Sequence, residues 1–205
     1  MSLPQQNEVI DQIVHETSSQ GWSYRPHLFT PSQVKKINDF FDSHRGNFSE
    51  AKVGQKQERK RDISIRSDST LWLDPLSPPE ELKEVFDFLE ALKESLNRSL
   101  YLGLREYETH LSLYPPGTFY KTHRDCFQKD SSRVVSFILY LNPNWIPGDG
   151  GELGFYDNEM NEIAKFPPSG GSLVVFLSQD FPHEVLPGKR ERRSLTGWIH
   201  RKNLN

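Results

Sequence analysis

Apolar residues recur along the chain at two periods, and each period predicts one kind of secondary structure. In the stretch FTPSQVKKINDFFDSH, Thr30 and Pro31 suit the N-cap and the first position of a helix, and apolar residues follow at helical spacing. A second helix is predicted after Ser77, where SPPEELKEVFDFLEALKESLNRSL repeats leucine, valine and phenylalanine with the same period. Residues 1–30 predict a short polar helix and a linker, so we expect residues 1–50 to form a helical support.

From Tyr107 onward the pattern changes to short apolar or alternating runs that are separated by turn residues. The runs are YETHLSLY, VVSFILYLN, GGELGFYD, GSLVVFLS, HEVLP and SLTGWIH. Such a succession predicts an antiparallel sandwich or barrel rather than alternating β–α–β units. A chain of 205 residues is long enough for one domain with a sizeable core. We therefore expect residues 1–205 to be a single, mainly β domain with flanking helices and a β core at residues 105–200.

Residues 51–75 lie between the two predicted helices and alternate polar and apolar positions around the basic run KQERKR. One interpretation is a solvated hairpin. The other is a mobile finger that grips a substrate. The sequence leaves both open.

The composition limits the classes of partner. With 25 lysines and arginines against 28 acidic residues, the net charge of -3 gives no overall attraction to nucleic acid or to an anionic membrane. We see neither a signal peptide nor an apolar run near 18 residues, so we expect a soluble protein. The one cysteine excludes an internal disulfide framework and a cysteine-rich zinc cluster, which favours a reducing, cytoplasmic setting.

The motif THRDC offers the first candidate for chemistry. His123 and Asp125 are two residues apart, so on a strand their side chains would lie on the same face. His183, in QDFPHEVLP, opens a predicted short strand and is the best third ligand, whereas His110 could face the same cavity but is not expected to bind a ligand. Two imidazoles and one carboxylate form the facial triad of non-haem iron(II) oxygenases, although the same set could hold zinc in a hydrolase.

An arginine distinguishes these two kinds of metal site. In GKRERRSLTGWIH, Arg192 precedes the last predicted strand, where an inward guanidinium could form a bidentate pair with a carboxylate. A zinc hydrolase does not need such a group, but an oxygenase that uses 2-oxoglutarate must neutralise the distal carboxylate of that cosubstrate as it is desolvated. The alternative is that Arg192 and Arg193 only charge the surface near a strand end.

The motifs HRD, HEVLP and RRSLTGW, in this order and spacing, resemble the iron(II)- and 2-oxoglutarate-dependent dioxygenases. Within them the chain is similar to the prolyl 4-hydroxylases that act on the hypoxia-inducible factor and to their bacterial relatives. The segments YPPGTFYKTHRD, LYLNPNW and GGELGFY fall in register, so the resemblance covers about residues 50 to 200. It implies a double-stranded β-helix, or jelly-roll, core buttressed by the N-terminal helices. It also implies hydroxylation of a prolyl residue in a protein, with decarboxylation of 2-oxoglutarate to succinate and CO2.

The resemblance assigns roles to individual residues. His123, Asp125 and His183 would bind Fe(II), and Arg192, six residues before Trp198, would clamp the distal carboxylate in preference to Arg193. Further positions would bind or line the cosubstrate, namely Tyr140, Thr196, Tyr114, Ile138, Leu153, Val185 and Trp198. Positions that would hold the substrate or shape its groove are Asp68, Tyr120 and Arg133. Ordinary strand packing of the aromatic residues and a surface ion pair at Asp68 are the alternatives.

The resemblance also implies partners. Dioxygen would be the oxidant, ascorbate a reductant, and a proline-containing protein or peptide the substrate, with a translation factor such as elongation factor Tu as one candidate. We expect a monomer that binds neither nucleic acid nor membrane. Two other functions stay open on the sequence: a hydroxylase of a free amino acid or other small molecule, and a non-catalytic β-helix used for binding.

Overall fold

The computed structural model describes residues 3–51, 62–126 and 132–201. Its α-helices are Leu3–Gln20 (α1), Pro31–Ser43 (α2) and Lys83–Leu100 (α3), and short 3-10 turns lie at Arg45–Asn47 and Glu80–Leu82. The strands are Trp22–Arg25 (β1), Ser49–Glu50 (β2), Ser69–Leu73 (β3), Glu106–Tyr114 (β4), Tyr120–His123 (β5), Arg133–Tyr140 (β6), Leu153–Tyr156 (β7), Glu162–Phe166 (β8), Leu173–Leu177 (β9), His183–Val185 (β10) and Arg192–His200 (β11). No helix in the described ranges is both long enough and apolar enough to cross a membrane.

The strands form two antiparallel sheets. The large sheet has the order β1-β9-β6-β11-β4-β3-β2, and the small sheet has the order β5-β10-β7-β8. From β4 to β11 the chain passes repeatedly from one sheet to the other, which is the winding of a double-stranded β-helix. The predicted class, a mainly β core with flanking helices, is confirmed.

The central strands of the large sheet, β4, β6, β9 and β11, are buried on both faces, and the strand alternation decides which residues enter which core. On β6, Phe137 and Leu139 pack outward in a cluster with apolar residues of the helices. Ile138 and Tyr140 point the other way, into a second cluster with residues of the small sheet such as Phe155. This period of two explains why apolar residues stand at successive positions in the run SRVVSFILYLN. Each buried aliphatic or phenylalanine side chain contributes about 1.5–3 kcal/mol of transfer free energy.

The helices begin largely where the sequence signals predict. At the start of α2, Gln33 Oε1 accepts from the backbone N–H of Thr30 at 2.8 Å, and Thr30 Oγ1 accepts from that of Gln33 at 3.3 Å. This is a capping box. The second predicted helix starts at Lys83 rather than just after Ser77, because a 3-10 turn precedes it.

Three elements differ from the sequence expectation. α1 is 18 residues long rather than short, and it buries Ile10, Ile13 and Val14. β1 lies in the predicted linker. Its strand conformation is stabilised by pairing with β9, and its four-residue pattern did not predict it. β8, with the sequence EIAKF, was not predicted, because it is a largely exposed edge strand without a strict apolar alternation.

The predicted finger at 51–75 coincides partly with a strand. β3 pairs with β4 and with β2, so residues 69–73 belong to the large sheet. The basic run KQERKR lies outside the described residues.

Candidate active site

The pairing of two short strands brings the three predicted metal ligands together. His123 is the last residue of β5 and His183 the first of β10, and the antiparallel register places them opposite each other. One ligating atom of each of His123, Asp125 and His183 lies within 4.8 Å of the others. Asp125 Oδ1 is 3.6 Å from His123 Nε2, and Asp125 Oδ2 is 3.5 Å from His183 Nε2.

Asp125 reaches this position in a different way from the one that strand alternation predicts. β5 ends at His123, so Asp125 lies in a bend beyond the strand. The large sheet holds it there. Arg133 Nη1 donates to the backbone carbonyl of Asp125 at 3.3 Å, and Ser136 Oγ donates to its Oδ2 at 2.7 Å.

Each imidazole is oriented by the carbonyl two residues before it. His123 Nδ1 lies 2.8 Å from the carbonyl oxygen of Lys121, and His183 Nδ1 lies 3.0 Å from that of Phe181. Because a carbonyl only accepts, each Nδ1 carries the proton, and the lone pair of each Nε2 is free for a metal.

The ionisation of the triad also suits a cation. Burial opposes the charged form of Asp125, but the neighbouring His183 and His123 hold the pKa of Asp125 well below its usual value. Burial and the neighbouring His183 lower the pKa of His123. The site is therefore an anionic carboxylate beside nitrogen donors, the donor set that binds iron(II), zinc or a similar divalent ion.

A buried arginine without a full set of partners lies in the space between the sheets. Arg192, the first residue of β11, is 2% exposed, and its Nε donates to the carbonyl of Gly151 at 2.9 Å. Its Nη2 is buried and has no hydrogen-bond partner among the described residues, and the same holds for the hydroxyl of Tyr140. The guanidinium carbon lies 5.0 Å from the ring centre of Tyr114 and 5.1 Å from that of Tyr140. Buried donors without partners indicate a missing acceptor, and a carboxylate suits a guanidinium and a phenol.

The backbone around Arg192 depends on a glycine. Gly151 has a φ of +72°, and a Cβ built there would lie 3.3 Å from Arg192 Cδ and 3.2 Å from the Trp145 ring. Only glycine allows this conformation and this close approach without strain.

The next arginine faces the opposite way, as strand alternation requires. Arg193 pairs with Glu191 and with Asp42 at 2.8 Å each, and its guanidinium lies 4.7 Å from the Phe41 ring centre. The structure thus places Arg192, and not Arg193, in the space between the sheets.

The remaining positions expected around the cosubstrate line the same space. Ile138, Leu153 and Val185 are buried in one apolar cluster with both tyrosines. Thr196 Oγ1 lies 3.2 Å from Ser194 Oγ. Trp198 is less purely apolar than expected, because the Arg133 guanidinium lies 3.7 Å from its ring centre and its buried Nε1 has no partner in the described ranges.

On the other side of His123, an ion pair supports the site. Asp68 accepts two hydrogen bonds from Arg66, at 2.7 and 2.6 Å, and its side chain is fully buried, so the surface ion pair considered for Asp68 is wrong. Arg66 lies 4.4 Å from the ring centre of Tyr120, and that ring stacks on His123 at 3.6 Å. Sequence reasoning missed Arg66, although a charge of opposite sign two residues before Asp68 was a weak signal.

Two further groups lie beside Trp198. Arg133 pairs with Glu108, and although burial opposes the charge, the His200 hydrogen bond and Arg133 lower the pKa of Glu108 to about 2. His110 lies between Trp72 and Trp198, at ring-centre distances of 4.7 and 5.4 Å. Burial and the charge of Arg66 lower the pKa of His110 to about 3, so this imidazole is neutral.

The comparison with known proteins agrees with this geometry. The profile of the 2OG-Fe(II) oxygenase superfamily matches residues 109–200. The crystal structure of a Pseudomonas putida prolyl-4-hydroxylase is similar with 36% identity and a TM-score of 0.83, covering 95% of this chain and 100% of that one. A Trichoplax adhaerens prolyl hydroxylase, solved in complex with a hypoxia inducible factor oxygen degradation domain peptide fragment, is similar with 26% identity and a TM-score of 0.77, over 97% and 91% of the two chains.

A relative from Caenorhabditis elegans is named hypoxia-inducible factor prolyl hydroxylase. It is 26% identical over 218 aligned positions, which include 95% of this chain. The chain spans 28% of the length of that protein.

Proposed function

The chain belongs to the 2OG-Fe(II) oxygenase superfamily, and on that premise we propose that it hydroxylates a prolyl residue of a protein, as a prolyl 4-hydroxylase. The reaction would couple this hydroxylation to the decarboxylation of 2-oxoglutarate to succinate and CO2. One observation carries the proposal: a triad of two histidines and an aspartate shares the space between the sheets with a buried arginine that has no anionic partner among the described residues.

The residues present fit both groups that the family implies. His123, Asp125 and His183 would hold Fe(II), since their ligating atoms are close together and both imidazoles are already oriented. Arg192 Nη2 and the Tyr140 hydroxyl would bind the distal carboxylate of 2-oxoglutarate, which would satisfy two buried donors that have no partner in the described part of the chain.

Iron and 2-oxoglutarate, when bound, supply the oxidising chemistry with dioxygen, and the protein supplies orientation and a dry space. Burial raises the pKa of Tyr140, so its hydroxyl stays protonated and donates. Ile138, Leu153 and Val185 exclude water around the cosubstrate, which strengthens the pairing of a carboxylate with Arg192.

The proposed substrate side is the wall around Tyr120 and Trp198. Arg66, held by Asp68, fixes Tyr120 over His123, and Arg133 covers the Trp198 ring. A polypeptide suits this wall, because Trp72 next to it is 43% exposed and extends the aromatic surface outward. We propose a bacterial translation factor such as elongation factor Tu as a candidate substrate.

Four finer points belong to the same proposal. Residues 1–205 would form one domain, and the protein would act as a monomer, because its own helices cover the outer face of the large sheet. Ascorbate would serve as a reductant for the iron. The one cysteine of the sequence supports a reducing, cytoplasmic setting.

The test is hydroxylation of proline-containing peptides, read as a mass gain of one oxygen atom together with succinate release. The wild type with Fe(II) and 2-oxoglutarate should modify a prolyl peptide. His183→Ala should abolish turnover, and Arg192→Ala should mainly raise the 2-oxoglutarate requirement. Arg193→Ala is the matched control, because it removes a guanidinium from the same strand on its other face. Equal activity of the His183→Ala variant and the wild type would refute the proposal.

A further inference from the structure

We propose that Ser136 is the positioning residue of the metal site: its hydroxyl selects which oxygen of Asp125 binds the metal, and Ser178 fixes that hydroxyl. This inference rests on the proposed function only for the identity of the metal. It concerns one side chain on β6 and one in the segment after β9, and neither element contains a residue of the metal triad.

The three ligands are not supported equally by their own backbone. Both imidazoles are oriented by carbonyls of their own segments, two residues earlier. Asp125 lies beyond the end of β5, and its support comes from the large sheet. Without that support, its carboxylate would be free to rotate about two side-chain bonds.

Ser136 provides the support for the carboxylate. Its side chain is on β6, in a residue that is 1% exposed, and its Oγ lies 2.7 Å from Asp125 Oδ2. The carboxylate is ionised and can only accept, so the serine hydroxyl must donate. A hydroxyl that donates to a carboxylate makes one of the stronger hydrogen bonds in proteins. This bond takes one lone pair of Oδ2 and so favours Oδ1 as the metal ligand.

Ser178 determines the direction of the Ser136 proton. Ser178 Oγ lies 2.9 Å from Ser136 Oγ, and Ser178 is fully buried, with its backbone N–H donating to the carbonyl of Val134. Since the Ser136 proton points to Asp125, Ser178 must donate to Ser136. Hydrogen bonds in such a chain polarise one another, so the second serine strengthens the first bond.

The hydrogen bond between Ser136 and Asp125 also joins the two sheets at the metal site. His123 and His183 belong to the small sheet, whereas Ser136 belongs to the large one. The hydrogen bond from Ser136 to Asp125 therefore fixes the distance between the large sheet, which holds Arg192, and the metal ligands. A residue that acts in this way affects metal affinity through a ligand and does not touch the substrate.

The experiment measures Mn(II) binding to metal-free protein, without 2-oxoglutarate or peptide, by calorimetry or by the electron paramagnetic resonance of free Mn(II). Ser136→Ala should weaken Mn(II) binding by about 10- to 100-fold, the usual effect of removing an outer-shell partner of a ligand. Ser136→Thr keeps the hydroxyl and should stay close to the wild type. Ser178→Ala should cause a smaller loss. Ser95→Ala removes the hydroxyl of a residue that is 5% exposed on α3, a helix that packs on the outer face of the large sheet, and it should change nothing.

A second readout separates positioning from general stability. The visible absorption of the Co(II)-loaded protein reports coordination geometry, and it should change in Ser136→Ala but not in Ser95→Ala, with all variants keeping a native circular dichroism melting curve. Wild-type Mn(II) affinity in a folded Ser136→Ala protein would overturn the inference. If Ser136→Ala does not fold, unchanged Mn(II) affinity in Ser178→Ala would overturn it. Prolyl peptides are absent from these measurements, so a failure of the proposed hydroxylation would leave their result intact.

Discussion

Replacing Arg192 by methionine tests the central electrostatic argument. Methionine has a similar length and no charge, so the change removes the guanidinium with little loss of volume. In the wild type, Nε already donates to the carbonyl of Gly151, so Nε is not available for a carboxylate. Nη2 is the buried nitrogen without a partner in the described part of the chain.

The magnitude follows from the number of bonds lost. A hydrogen bond to a charged group contributes about 1.5–3 kcal/mol, so loss of one such bond should weaken 2-oxoglutarate binding by about 10- to 150-fold. Loss of a bidentate pair should weaken it by at least ~100-fold. The free protein should not suffer in the same way, because the variant removes a buried cation that has no anion beside it within the described ranges. Its free energy of unfolding should equal or exceed that of the wild type.

Two measurements check this prediction. Calorimetry with Mn(II)-loaded protein gives the 2-oxoglutarate affinity, and urea unfolding of the unliganded protein gives the stability. Arg193→Met is the control, and its 2-oxoglutarate affinity should match the wild type because that side chain pairs with Asp42 and Glu191 instead. An Arg192→Met protein that binds 2-oxoglutarate as tightly as the wild type would refute the assignment of Arg192 to the cosubstrate.

Three further predictions concern stability, all measured by urea unfolding. The pKa of His110 is lowered to about 3, below its usual 6.5, so the unfolded state takes up the proton first and stability is lost as the pH falls from about 6.5 toward 3. Relative to His110→Phe, the wild type should lose about 2.5 kcal/mol more between pH 6 and pH 4. Asp68→Ala leaves Arg66 buried without its carboxylate and should cost about 3–5 kcal/mol, part of which a second change, Arg66→Met, should restore. Phe155→Ala removes a fully buried ring between the sheets and should cost about 3–5 kcal/mol.

Each of these three predictions would be contradicted by one result. Parallel pH curves for His110→Phe and the wild type would show that the imidazole is not held neutral. If Asp68→Ala lowered the free energy of unfolding by less than about 1 kcal/mol, the ion pair would contribute no more than a solvent-exposed pair does. An equally small cost for Phe155→Ala would mean that the inner cluster is not a packed core.

Local patterns were sufficient for most of the fold and for the triad. The helix start at Thr30 and the alternation on β6 depend on backbone geometry within a few residues, which a sequence displays directly. His123 and His183 were identifiable because metal chemistry restricts the ligand types, because His123 stands two residues before Asp125, and because His183 opens a predicted strand. β1 and β8 were missed because short edge strands owe their conformation to pairing with distant residues.

The sequence by itself determined the mainly β class with flanking helices, most of the core strands and the residue types that suit a metal and a carboxylate. The tertiary structure decided which groups meet. It turned Arg192 inward and Arg193 outward, buried Asp68 against Arg66, and brought Ser136 to the oxygen of Asp125. The physical reason is the separation along the chain over which each effect acts. Side-chain periodicity is set by each residue's neighbours along the chain, whereas a hydrogen bond between two sheets depends on how the whole core packs.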